Sequence, residues 1–347
     1  MKNNIKFLSL LAVFALLAFV PLAMAQKGGK KKPPPPPPPA PSDPAIAYTA
    51  PGTSQDRWDL MVMDADGTNQ RTVVTSKFTH NVDLDWSPDG KQLVFRMDDG
   101  PRFDNDAICI VNVDGSGLHQ IKASARGIRP AWSPVEIGGR YWIAFTDRAV
   151  LSDGSLKQDS DIFLMDTEGN NLTNLTEAEE VDEWEADWSP DGKRLAVQTY
   201  DSVTHVADIV LYGVDCVDLH CAATKLGSII YVPNSPLADN TDVGGANWAR
   251  SSIHNRLVFS AQMGIGEDYD LWTVDLDTGV FQQLTDTPQR YEFDASWLPD
   301  DSGVFFSEGH EGGLWVMNYE TGATRLIVTP QQAGITFFYK PKWRRNK

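Results

Sequence analysis

Asp85-Trp86-Ser87-Pro88-Asp89-Gly90-Lys91, followed by the apolar Leu93, Val94 and Phe95, decides the fold. It returns almost unchanged as Asp187-Trp188-Ser189-Pro190-Asp191-Gly192-Lys193, with Leu195, Ala196 and Val197 behind it. Weaker copies stand at Trp132-Ser133-Pro134, Trp248-Ala249, Trp297-Leu298-Pro299-Asp300 and Trp343. Successive tryptophans are 46, 56, 60, 49 and 46 residues apart. A repeat of that length means stacked supersecondary units, because a single unit cannot bury its apolar faces.

Each unit carries four strand signals. The first strand ends at the tryptophan, and Ser-Pro-Asp-Gly reverses the chain, with proline presetting φ and Asp-Gly completing the turn. The apolar run is the second strand. The third reads as Asp161-Ile162-Phe163-Leu164-Met165-Asp166 or Asp270-Leu271-Trp272-Thr273-Val274-Asp275, closed by turns such as Asp64-Ala65-Asp66-Gly67 and Asp166-Thr167-Glu168-Gly169. A fourth strand completes the unit, as in Asn174-Leu175-Thr176. Four antiparallel strands at this period predict a propeller blade. The first block, Ala45 to Val74, has only three strands, and Phe337 to Trp343 supplies the missing tryptophan strand. The C-terminal strand therefore joins the N-terminal blade, closes the ring and leaves no open inner edge. The count is six blades: an all-β, six-bladed propeller of four-stranded antiparallel blades over residues 44–347.

These motifs resemble the TolB-like family of six-bladed propellers, with its WD40-like Trp-Ser-Pro-Asp-Gly-Lys and Asp-x-Asp-Gly turns. The resemblance covers about residues 44–347. Three blades depart from it: Val135-Glu136-Ile137 replaces Asp-Gly-Lys, Arg250-Ser251 replaces Pro-Asp, and Leu298 replaces Ser. TolB itself carries an α/β domain before its propeller; here a proline-rich stretch occupies that position.

The N-terminal residues read as a targeting and spacer region. Lys2 and Lys6 precede an apolar run from Phe7 to Ala23 that ends in Ala23-Met24-Ala25, a charged start, apolar centre and small-x-small site expected of a secretory signal peptide over 1–25. Residues 26–43 form a Lys/Gly/Pro-rich linker whose seven prolines, Pro33 to Pro39, favour an extended polyproline spacer. No transmembrane segment is expected after cleavage, and the location is periplasmic or secreted. The first 42 residues hold six lysines and no acid, so a chain of net charge −17 leaves −23 on the rest. Such a surface repels nucleic acid and favours basic partners. Cys216 and Cys221 bracket a short hairpin tip and are expected to pair in an exported chain, whereas Cys109 reads as a buried thiol.

Candidate chemistry follows from blade topology. Inner strands line an axial channel, so residues one and three positions before each tryptophan approach its mouth. The candidate ligand-binding set is Asp83, Asp85, Arg129, Trp184, Glu185, Asp187, Asn247, Asp294 and Lys340. Two readings fit it: a polar site for a small ligand, sugar or Ca2+, which takes six to eight oxygen ligands, or a ring of ion pairs compensating one another. No cofactor and no metal site is assigned. No Gly-x-Ser-x-Gly elbow, His-Glu-x-x-His or phosphate-binding loop is present, so no catalytic residue is named; for a propeller-borne lyase or hydrolase, His80 and His205 would be the candidate bases. The expectation is a monomeric, non-catalytic scaffold binding a protein or peptide on the face that carries the longer loops.

Overall fold

In the computed structural model the described residues are 43–345, except 52–57, 76–79, 99–105, 124–126, 178–179, 233–234, 238–241, 264–267 and 289. The signal segment and all of the linker but Asp43 lie outside them. They belong to one compact unit, Ser42–Lys347.

Six four-stranded blades form the ring. Blade 1 is composite: Tyr339–Trp343 pairs antiparallel with Ile46–Pro51, followed outward by Trp58–Met63 and Arg71–Thr75. Blade 2 runs His80–Trp86, Gln92–Asp98, Asp106–Asn112 and His119–Ala123. Blade 3 runs Ile128–Trp132, Trp142–Asp147, Asp161–Asp166 and Thr173–Asn174. Blade 4 runs Val181–Trp188, Arg194–Asp201, Val206–Val217 and His220–Ser228. In blade 5 the inner strand is split into Asp242–Val243 and Asn247–Trp248, then come Arg256–Gln262, Tyr269–Asp275 and Val280–Gln283. Blade 6 runs Glu292–Trp297, Gly303–Glu308, Leu314–Asn318 and Thr324–Val328. Among the described residues the only helices are two single turns, Gly309–Gly312 and Pro330–Ala333.

There is no single core. Each of six apolar clusters fills one wedge between adjacent blades, because the alternation of a strand sends successive side chains to opposite neighbours. Leu93 and Phe95 thus pack toward blade 1 and Val94 toward blade 3, while Leu195 and Val197 face blade 3 and Ala196 faces blade 5. The blade tryptophans Trp86, Trp188, Trp248 and Trp297 are at most 1% exposed within these wedges. Two of their indoles also tie blades together: Trp86 donates to the Lys342 carbonyl and Trp188 to that of Ala131.

The turn chemistry is as the repeated motif predicts. Ser87 Oγ donates to Asp89 Oδ1 (2.7 Å) and accepts from the Gln92 amide (2.9 Å), while Gly90 takes a left-handed φ of 69°. Ser189, Asp191, Arg194 and Gly192 repeat this arrangement. Ring closure is sealed past the last strand, where the Arg344 amide donates to Ala45 O and its guanidinium holds Asp43. Cys216 and Cys221 form a disulfide, and Cys109 is buried outside any disulfide.

Candidate functional site

The channel is built by one device repeated around the ring. Three residues before the blade tryptophan, the inner strand slips register: between Val82 and Leu84, Ile128 and Ala131, Trp184 and Ala186, Phe293 and Ser296, and opposite Ala47 and Thr49 in the closing blade. The residues at these bulges are Asp83, Arg129, Glu185, Asp294 and Lys340, with φ between 42° and 54°. A left-handed non-glycine residue costs roughly 1–2 kcal/mol, and a bulge re-aims its side chain out of the strand alternation. Here all five charged groups line one cavity. The sixth position is Gly245, where a Cβ would stand 2.1 Å from Glu185 Oε2. Its missing side chain leaves room for the Glu185 carboxylate.

The charges in this upper layer pair with one another. Glu185 meets Arg129 Nε (3.4 Å) and the Lys340 ammonium, Lys340 also meets Asp294 (3.2 Å), and Arg96 approaches Asp83 (3.8 Å). Burial pushes the Glu185 carboxyl up, but Arg129 and Lys340 outweigh it and hold the group far below the usual range. Burial likewise lowers Lys340, while Glu185 and Asp294 raise it further than burial depresses it. The cavity measures about 90 Å³, opens to solvent and sets its charged groups among apolar wall such as Leu84, Pro130 and Phe293; a space of that size has room for ordered water.

One layer deeper, Asp85 and Asp187 act as staples between blades, each accepting a 2.9 Å hydrogen bond from the main-chain amide of the next blade's tryptophan, Trp132 and Trp248. Lys342 donates to Asn247 Oδ1 (2.9 Å). Across the axis, Arg345 Nη2 reaches Asp187 Oδ1 (2.5 Å) and Asp85 Oδ2 (3.5 Å), and Arg250 stands 3.9 Å from Asp187. Burial raises Asp187, yet Arg345 and Arg250 bring it below the ordinary value. Burial and the facing Arg345 push Arg250 down to about 10, so both guanidinium groups stay charged at neutral pH.

The structure thus gathers Asp83, Arg129, Glu185, Asp187, Asn247, Asp294 and Lys340 around the cavity. Asp85 sits below it on Arg345, and Trp184 acts through its ring, which lies 4.9 Å from the Arg129 guanidinium. Among the described residues no group of three or more His, Cys, Asp and Glu is arranged to hold a metal ion. Sequence reasoning missed Arg96, Arg250 and Arg345. The signal for the last two was present: they stand two residues after their tryptophan, where the other four blades have Pro88, Pro134, Pro190 and Pro299. It also missed the aromatic rim. Tyr291 stacks on Phe293 (6.1 Å), Phe293 meets Tyr269 (4.7 Å), and on blade 1 Trp58 packs against Phe337 and Tyr339.

Of the histidines, His205 bonds to the Tyr200 hydroxyl and His254 to Asp301, and among the described residues no histidine lines the cavity. The side chain of His80 and the loop segments 99–105 and 264–267 lie outside the described residues.

Five residues before two of the tryptophans, Glu183 and Glu292 hold the chain leaving the preceding blade, and Glu183 also holds the third strand of its own blade. Glu183 accepts from the Tyr212 hydroxyl (2.5 Å) and from Thr176; Glu292 accepts from Thr287 and Thr285. Glu292 is 2% exposed, and burial first, then Asp270 and Glu308, push its pKa up to about 7. The native state therefore holds a proton that the unfolded state releases near pH 4.5. Its contribution is present below that pH and declines as pH rises toward 7, by about 3 kcal/mol in all. Glu292→Gln, which keeps the neutral form, should flatten this slope in urea titrations between pH 5 and 8 and be the more stable protein at pH 8. An unchanged slope would show that Glu292 is not the group responsible.

No protein-family model matches the chain, and no curated protein matches it in sequence. Solved structures do. TolB from Acinetobacter baumannii superposes with a TM-score of 0.63 at 20% identity, over 86% of this chain and 66% of that one. A chain of the nidogen/laminin complex gives 0.59 at 11% identity, over 87% and 99%. Kuenenia stuttgartiensis hydrazine synthase gives 0.59 at 12%, over 87% and 47%. This chain spans just under two thirds of the length of that TolB. At such identities the likeness establishes the fold, a TolB-like six-bladed propeller.

Proposed function

We propose that the chain is a non-catalytic, exported propeller of the cell envelope that binds a protein or peptide over the channel mouth, on the face where the inner strands begin. The observation that carries this reading is the composition of the mouth. Its acids and bases pair with one another around a cavity of about 90 Å³, with Arg129 Nη1 left without a hydrogen-bond partner among the described residues; Phe293 lines the cavity, Tyr269 and Tyr291 pack on Phe293, and Trp184 lies on the Arg129 guanidinium. A rim of Trp, Tyr and Phe around a small polar centre suits broad contact with a protein surface, where aromatic and arginine side chains concentrate binding energy. The −23 charge of the residues beyond the basic N-terminus favours a basic partner.

Ca2+ or a sugar would have to displace Arg129 and Lys340 from carboxylates that already hold them, which makes a small-ligand site the weaker reading. The fold itself is shared with an enzyme, hydrazine synthase; what supports the non-catalytic reading is that Glu185 and Asp294 are held in ion pairs by Arg129 and Lys340, so neither stands free as a base.

The test is capture from envelope extract on immobilised wild type, on a Tyr291→Ala/Phe293→Ala variant and on Ile253→Asp, which alters an exposed side chain in a turn of the opposite face. The mouth variant is expected to lose the captured protein while Ile253→Asp retains it. Equal capture by the mouth variant, or loss confined to Ile253→Asp, rejects the mouth as the docking surface.

A further inference from the structure

The outermost strand of blade 4, His220–Ser228, has 9 residues, whereas among the described residues those of the other five blades have between 2 and 5. It is the terminal strand of its sheet. Its register is regular from Val217↔His220 through Tyr212↔Lys225 and slips only beyond, where Leu226 bulges out. Asp218 and Leu219 turn the chain with φ of 49° and 71°, a two-residue hairpin loop in which both central residues are left-handed. In such a hairpin the flanking pair, Val217 and His220, exchanges both main-chain hydrogen bonds. The alternation of an antiparallel ladder then points the N–H and C=O groups of Cys221, Ala223 and Lys225 away from the sheet.

Natural edges are blunted by shortness, proline, bulges or charge. Between His220 and Lys225 this one has no proline and no bulge, its one constant charge is Lys225 at the far end, and the Cys216–Cys221 disulfide pins the other. Its side chains are small at the centre: Ala222 and Thr224 are exposed and Ala223 is half-buried.

We propose that two copies of the chain pair antiparallel through this edge, joining blade 4 of each into one eight-stranded sheet about a two-fold axis at Ala223. The strand is its own best-matched occupant. In that register Ala223 faces Ala223 of the second copy, Cys221 faces Lys225 and Ala222 faces Thr224, so the lone charge never meets itself and the outward main-chain groups coincide. A two-fold contact of this kind closes on itself and does not propagate into a fibre. The overall negative charge opposes association at low ionic strength and is screened over about 8 Å at physiological salt, so pairing strengthens as salt is added.

Sedimentation velocity on the full chain tests this across ~1–200 μM, a range that brackets a micromolar Kd. The expected result is a concentration-dependent shift to twice the monomer mass, abolished by Ala223→Pro and by Lys225→Pro with little change in melting temperature, because both N–H groups point outward. Should the proline variants melt lower, Ala223→Lys decides, since it sets two ammonium groups against each other on the axis without altering the main chain. A monomer throughout the range overturns the proposal, and so does a dimer that survives Ala223→Pro and Ala223→Lys alike.

Discussion

Arg345→Met is expected to destabilise the propeller by about 3–5 kcal/mol at pH 7, the cost of removing one partner from a buried ion pair. The Arg345 side chain is 7% exposed and stands between two carboxylates that are themselves 4–5% exposed, Asp85 and Asp187. Each of those carboxylates holds the main-chain amide of the next blade's tryptophan, so neither can turn toward solvent without releasing a staple between blades. Without Arg345 the nearest remaining cation to Asp187 is Arg250, at 3.9 Å. Asp187, which Arg345 holds below its ordinary value against burial, would respond by taking up a proton, so the defect should shrink between pH 7 and pH 5. Asp187→Asn in the Arg345→Met background should restore part of the loss, because the amide oxygen still accepts from Trp248 while carrying no charge. Urea titration of the three proteins measures these differences. A single variant within about 1 kcal/mol of wild type would mean that water replaces the guanidinium at little cost.

Gly169→Ala is expected to cost about 1–3 kcal/mol more than Gly279→Ala, although the two glycines occupy equivalent turns. Both are left-handed, at φ 81° and 71°, so each substitution carries the ~1–2 kcal/mol backbone penalty of that region. They differ in what lies beyond. A Cβ at Gly169 would stand 2.0 Å from the Ile121 carbonyl oxygen and 3.0 Å from its carbon, whereas at Gly279 nothing lies within 4 Å. The obstacle is main chain of blade 2, so relief requires moving one blade against another, and overpacking of this kind costs typically 1–3 kcal/mol. Gly115, whose Cβ would meet the Val73 carbonyl oxygen at 2.9 Å, should fall between them. Thermal or urea unfolding of the three variants gives the order; equal losses at 169 and 279 would leave only the backbone penalty and refute close blade approach as the reason for Gly169.

The fold was legible because its determinants are local. The Ser-Pro-Asp-Gly turn, the apolar run behind it and the Asp-x-Asp-Gly reversal each act within a few residues, and their recurrence counts the blades. Closure was legible too, since three strands at one end and one at the other are complementary. The site was legible only in outline. Blade topology singles out positions one and three before each tryptophan. Which of their charges meet was not readable, because the entry of Asp83, Arg129, Glu185, Asp294 and Lys340 depends on a bulge that no residue preference announces: none of the five is glycine or asparagine. Arg250 looked like a worn copy of the proline turn, and Arg345 like the end of the chain. The nine-residue outer strand of blade 4 was hidden for a different reason, since strand length past the apolar stretch depends on the neighbouring strand it pairs with.

The sequence by itself therefore determined the repeat, the number of blades, the way the ring is closed and the Cys216–Cys221 pairing, all set by interactions between near neighbours or by the matching of complete units. Only the tertiary structure decided which charges compensate which. Lys340 and Glu185 are 155 residues apart, Arg345 and Asp187 158, and Arg345 and Asp85 260. An ion pair forms only where separation falls to a few ångströms, and for these residues that separation exists only after six wedges have packed and the last strand has entered the first blade.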